Sequence, residues 1–320
     1  MTGTDSPFKK VIAELTEAGP ELSRRSLQEF SDMDPASLQV LHEAWPRIGA
    51  DRKRKLLEGL EALSDEDTLV SFDDFARSLL ADPDAQVRTR AIRLLDESND
   101  TKLIAPFIEI LSNDQDAETR AEAATALGKF VELGELEEIP EDSCRQVEDA
   151  LLQKANSEDQ LLVRRNALEA LGFSSRAEVI TLIESAFRRE NPDWQASALF
   201  AMGRSFDERW EEPVLSRMLD ESPMVRLAAV EAAGELRLES ARTVLFKVLE
   251  EEEEDEITSA AIWSLSQIGG EDARLYIENL LDLAEEDEDV EFLEEALDNV
   301  EFTDELNHFD LLSIDPDEEE

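Results

Sequence analysis

The chain has 320 residues, 42% of them hydrophobic, enough to bury a sizeable core. Its 79 acidic and 31 basic residues give a formal charge of -48, a field that repels phosphate backbones and anionic lipid and favours basic or polar protein partners. Cys144 is the single cysteine, which excludes an intramolecular disulfide and a thiolate-rich metal site, and its acidic neighbours disfavour a reactive thiolate.

The opening MTGTDSPFKKVIAELTE has no apolar run of signal-peptide length, and no segment reaches the roughly 18 uninterrupted apolar residues of a membrane span. A cytoplasmic protein without membrane association is expected. Residues 1–67 carry helical patterning without a strict frame: Arg24 with Leu27, and Lys53 with Leu56 and Leu60, fit the later pattern only loosely. This segment is expected to hold two divergent helical repeats, with a basic spot at DRKRK, Asp51 to Lys55.

From residue 68 a frame becomes regular. DPDAQVRTRAIRLL at Asp82 to Leu95 is restated as DQDAETRAEAATAL at Asp114 to Leu127. An anchor, an alanine three residues on, an apolar residue seven on and often a glycine eight on recur at Arg88, Arg120, Arg164, Gln195, Arg226 and Thr258. The spacings are 32, 44, 31, 31 and 32, and a weaker copy follows at Val290, Leu293 and Leu297. The long step holds ELGELEEIPEDSC, Glu132 to Cys144, whose glycine, proline and acids predict a loop insertion. Each period reads as two helices with apolar residues three and four apart, and nothing alternates as strands do. The aspartates between the two helices predict an N-cap on the second. A fixed period of helix pairs predicts an all-α fold, an α-solenoid superhelix of about eight or nine units over residues 68–301 and the segment before it.

The stretches LLADPDAQVRTRAIRLLD and RMLDESPMVRLAAVEAAG resemble HEAT repeats of the short bacterial kind called phycobilisome-lyase-like, a likeness covering roughly residues 68–300. The resemblance implies a structural ladder in which a turn acid and a second-helix arginine pair between adjacent units. Its members here are Asp82, Arg88, Asp114, Arg120, Arg164, Asp220 and Arg226, with Glu158 and Glu252 at the same offset before Arg164 and Thr258. In the unit of Gln195 both halves depart, since Arg189 stands at the acid position, and Trp194 is expected to hold that unit by burial.

Enzymes among HEAT-like families set specific tests. A di-iron hydroxylase of the deoxyhypusine type needs several His-Glu pairs, whereas this chain has two histidines, of which only His42 precedes a glutamate, Glu43. A DNA-glycosylase solenoid needs a basic groove, and the charge has the opposite sign. Nothing is diagnostic for a bilin, and the phosphate-loop, dinucleotide and serine-elbow motifs are missing from the sequence. No catalytic residue, cofactor or metal is expected.

Five residues after the anchors stand Arg93, Thr125, Glu169, Phe200, Glu231 and Trp263, and one turn earlier Thr89, Ala121, Arg165, Ala196, Leu227 and Ser259. Phe200, Leu227 and Trp263, with Arg165, are the candidate partner-binding residues; the alternative is that these rings pack between units. Between Leu238 and Glu320 there are 30 acids against 3 bases, including the run Glu250 to Glu256, either a lure for a basic partner or a solubilising surface. Residues 302–320 are expected to leave the repeat as an acidic tail in which HFDLLSID either caps the last unit or binds. The function expected is a non-catalytic scaffold or adaptor recognising another protein, with a monomer favoured. The alternatives are a lyase- or hydroxylase-type subunit and an acidic mimic or chaperone for basic nucleic-acid-binding proteins.

Overall fold

In the computed structural model, which describes residues 7–17 and 21–313, every regular element is helical. The side chains of Pro7 and of 307–313 lie outside the described part, as do residues 1–6, 18–20 and 314–320. The chain divides into two compact units, Met1–Ala170 and Leu171–Glu320.

The N-terminal unit contains α1 (Pro7–Thr16), α2 (Arg24–Gln28), α3 (Pro35–Ala44), α4 (Ala50–Glu66), α5 (Asp73–Leu79), α6 (Ala85–Arg93), α7 (Ile104–Asn113), α8 (Ala117–Glu135), α9 (Glu141–Ala155) and α10 (Leu161–Ala170). Helices α4, α6, α8 and α10 pack each on the next, and α5, α7 and α9 each back onto the even-numbered helix that follows. The C-terminal unit contains α11 (Ala177–Phe187), α12 (Pro192–Arg204), α13 (Glu211–Leu215), α14 (Pro223–Glu235), α15 (Arg242–Glu251), α16 (Asp255–Ile268), α17 (Glu271–Leu281) and α18 (Asp287–Ser313). There α12, α14, α16 and α18 form the stacked row, backed by α11, α13, α15 and α17. Each unit is thus an α-solenoid stack of HEAT-like helix pairs.

Local chemistry sets the breaks. Asp84, Asp116 and Asn191 cap α6, α8 and α12 by accepting from the amides of Val87, Thr119 and Trp194. After α8 and α14 a left-handed residue, Glu137 (φ 59) and Arg237 (φ 50), reverses the chain. Beyond it the amides of Glu138 and Leu238 donate back to the carbonyls of Leu133 and Ala233, closing the last turn.

The repeat frame is a packing frame. Ala91, Ala123, Ala167, Ala198, Ala229 and Ala261 are all fully buried, as are Leu127, Met202, Ala233 and Leu265 four residues further on in their units. The glycines eight after the anchors let stacked helices touch: a methyl on Gly203 would lie 3.0 Å from Ala232 Cα, and one on Gly234 would lie 2.8 Å from Ser264 Cα.

Two expected boundaries are corrected. Glu132 to Cys144 is not a loop: α8 runs on to Glu135, five residues turn, and α9 begins at Glu141. Leucine and glutamate favour helix, and Leu133, Ile139 and Cys144 are buried, so the extra residues are packed rather than looped out. Gly134 marks a close approach instead of a turn, since a Cβ there would sit 2.1 Å from the Cys144 sulfur. Nor does the helix end at residue 302, since α18 continues to Ser313. Thr303 is buried, and Asp304 accepts from the Gly270 amide (2.9 Å) and Arg274 Nη2 (3.1 Å), which ties this extension to the turn between α16 and α17. The side chains of HFDLLSID from His308 onward fall outside the described residues.

Candidate functional site

The ladder residues are structural ties within each unit. Arg88 grips Asp114 with Nε and Nη2, both at 2.7 Å, while its Nη1 donates to the Asp82 carbonyl at 2.8 Å. Arg226 repeats the arrangement with Glu252 (2.8 and 3.0 Å) and the Asp220 carbonyl (2.9 Å). Burial works against the Asp114 carboxyl, but its bonds from Arg88 and the Asp116 amide outweigh this and hold it below the ordinary carboxylate range.

The offset rule fails at one rung. Arg120 pairs with Asp159 (3.0 and 2.5 Å), not with the expected Glu158, and Lys154 reaches the same carboxylate at 3.0 Å. Arg164 Nε donates to the Ala155 carbonyl at 3.2 Å. Where Gln195 replaces the arginine, Asp220 draws Arg217 from the preceding turn at 2.9 Å. In the same unit Trp194 is buried beneath the Arg189 guanidinium, 4.1 Å from its ring centre. Upstream, Lys53 occupies the anchor position: its ammonium is buried against Asp82 at 2.9 Å and lies over the Trp45 ring, whose Nε1 donates to the same carboxylate at 2.6 Å.

The candidate site is a groove of about 550 Å³ in the C-terminal unit, along the row α12, α14, α16 and α18. Phe173 and Phe200 form one end, with the Arg204 guanidinium 5.1 and 4.3 Å from their ring centres. Trp263 and Phe292 form the other, 6.4 Å apart and inclined by 32°. Trp263 remains 38% exposed. Glu231, Glu235 and Glu256 also line it. Loss of hydration in the concave wall raises the Glu231 carboxyl above its ordinary value, and the charges of Glu256 and Glu235 raise it further.

The family model for HEAT repeats matches residues 74–141, 179–266 and 211–300, more than half of the chain. The chain is a HEAT-repeat protein. Among solved structures, YibA of Escherichia coli is similar at 13% identity over 94% of this chain and 99% of its own, with a TM-score of 0.43. A chain of the CpcE–CpcF complex of phycocyanin lyase from Nostoc sp. is similar at 17% identity over 71% and 94%, with a TM-score of 0.48. Human deoxyhypusine hydroxylase is similar at 16% identity over 82% and 95%, with a TM-score of 0.35. No curated protein matches the chain.

In the repeat frame, two rows of positions supply much of the groove's lining. Phe200, Glu231 and Trp263 stand five residues after their anchors, and Phe173, Arg204, Glu235 and Gln267 stand nine after theirs, one helical turn on. The structure brings Phe200 and Trp263 into this one groove. Leu227 is half-buried and does not line it, and Arg165 lies in the N-terminal unit, where Glu169 approaches at 3.8 Å. Phe173, Phe292 and Arg204 were not legible as site residues from the anchor offset and the turn before it, although the row nine residues on would have shown four of the lining residues, Phe173 and Arg204 among them. Among the described residues no group of three or more His, Cys, Asp or Glu side chains is arranged to hold a metal. No described helix is long and apolar enough to cross a membrane.

Proposed function

We propose that this HEAT-repeat protein is a non-catalytic scaffold whose groove on α12, α14, α16 and α18 binds another protein. The observation that carries the reading is the pairing of a half-open tryptophan with three further aromatic rings in one concave surface. Rings of this kind contribute most to binding when a partner displaces their water, about 2 kcal/mol or more each at a hot spot. The stacked repeats supply a rigid row of side chains at fixed intervals, so recognition needs little ordering of the scaffold itself.

The experiment is affinity capture from native lysate with the wild type and a Phe200→Ala/Trp263→Ala variant, circular dichroism verifying that both are folded. A protein held by the wild type and lost by the variant supports the reading. Equal retention by both sinks it.

A further inference from the structure

The groove is not merely apolar. Its lining holds carboxylates as well as rings, and one cation of the chain already uses it: Arg204 lies over Phe200 and Phe173 at ring-centre distances of 4.3 and 5.1 Å. This is how an aromatic face attracts a guanidinium, through the negative face of the ring. The opposite end has its own rings, Trp263 and Phe292, in the same lining as Glu231 and Glu256, and there the carboxylates repel one another. The charges acting most strongly on Glu231 are those of Glu256 and Glu235, both repulsive. A second guanidinium at this end would lie over the tryptophan and relieve that repulsion.

Resting on the reading of the groove as a protein-binding surface, we propose that it receives an arginine side chain from a basic segment of the partner, stacked on Trp263 and paired with Glu231 and Glu256. Charge complementarity fixes the occupant's sign, and the half-open indole, with the stacking of Arg204 on the rings at the other end, favours a planar cation over an ammonium. Because the chain carries -48, a cationic peptide is also attracted everywhere on its surface, so the stacking and the local acids are the discriminating features.

The test uses a fluorescent acetyl-tetraarginine amide and its citrulline counterpart, which keeps the planar group and loses the charge. Binding to the full-length chain is followed by anisotropy in about 150 mM salt. Arginine peptide affinity should fall about five-fold or more in Trp263→Ala, Glu231→Gln and Glu256→Gln, and the citrulline peptide should bind at least as weakly. A Glu251→Gln/Glu253→Gln variant, outside the groove, should leave it within about two-fold. If the outside variant loses as much as the groove variants, or Trp263→Ala changes nothing, the attraction is diffuse and the inference is overturned. If Phe200→Ala/Trp263→Ala abolishes capture of a lysate protein while leaving arginine-peptide affinity intact, the docking surface stands and the arginine does not. Loss of neither overturns both.

Discussion

Arg88 satisfies two adjacent helix pairs with one side chain: a two-point grip on the Asp114 carboxylate and a single bond to the Asp82 carbonyl. Lysine has the charge but not the fork, so Arg88→Lys retains attraction and loses one partner. We expect Arg88→Lys to cost about 1–2 kcal/mol and Arg88→Ala about 3 kcal/mol, since the alanine strands a mostly buried carboxylate. Urea unfolding with an unchanged denaturant slope measures both, and equal midpoints for the two variants would contradict the argument. The Arg88 and Arg226 rungs were legible because arginine and acid recur at fixed offsets in the sequence. Asp159 was not, because offset alone cannot choose between adjacent acids, and Lys154, which shares that carboxylate, belongs to the preceding helix. Trp45, bonded to Asp82, has no repeat position that would announce it.

At the level of helices, the frame of alanine, leucine and glycine foretold which faces are buried, because close helix approach admits few residue types. It misread the inserted segment, where glycine has a different task. Gly134 on α8 meets Cys144 on α9, and both helices are lengthened around that contact. Gly134→Ala should lower stability by about 1–3 kcal/mol, the cost of overpacking, even though alanine is the better helix former. Adding Cys144→Gly removes the atoms in the way and should recover part of that loss in thermal melts; no recovery would mean that the contact does not limit the helix spacing. Two of the four aromatics in the groove, Phe200 and Trp263, were visible as oddities five residues after their anchors. Glu231 stood on the same row, but nothing set it or Glu235 and Glu256 apart among 79 acids until the structure placed all three in one groove.

For the whole chain, two sets of carboxylates titrate in opposite senses. Asp114, Asp159, Asp220 and Glu252 have folded-state values below the ordinary ones, despite burial that opposes this at all four. The stability they supply is complete above about pH 5 and is lost as the pH falls through and below about 4. Glu61, Glu122 and Glu231 are raised by burial first, so the folded state takes up their protons more readily than the unfolded chain. Their contribution grows as the pH falls from neutrality towards about 5. The thermal midpoint should therefore climb between pH 7 and about 5 and drop below about pH 4, with a smaller climb in Glu122→Gln; a steady decline from pH 7 would count against this assignment. The salt bridge of Lys53 with Asp82 bears on how the protein can be dissected. A chain shortened to start at residue 68, where the regular repeats begin, would keep every recognisable copy of the motif. It would also strip Asp82 of both the ammonium that neutralises it and the indole that donates to it, leaving a carboxylate shaped for burial at a newly cut edge. The least repeat-like part of the sequence is thus the part without which the first true repeat has no end cap.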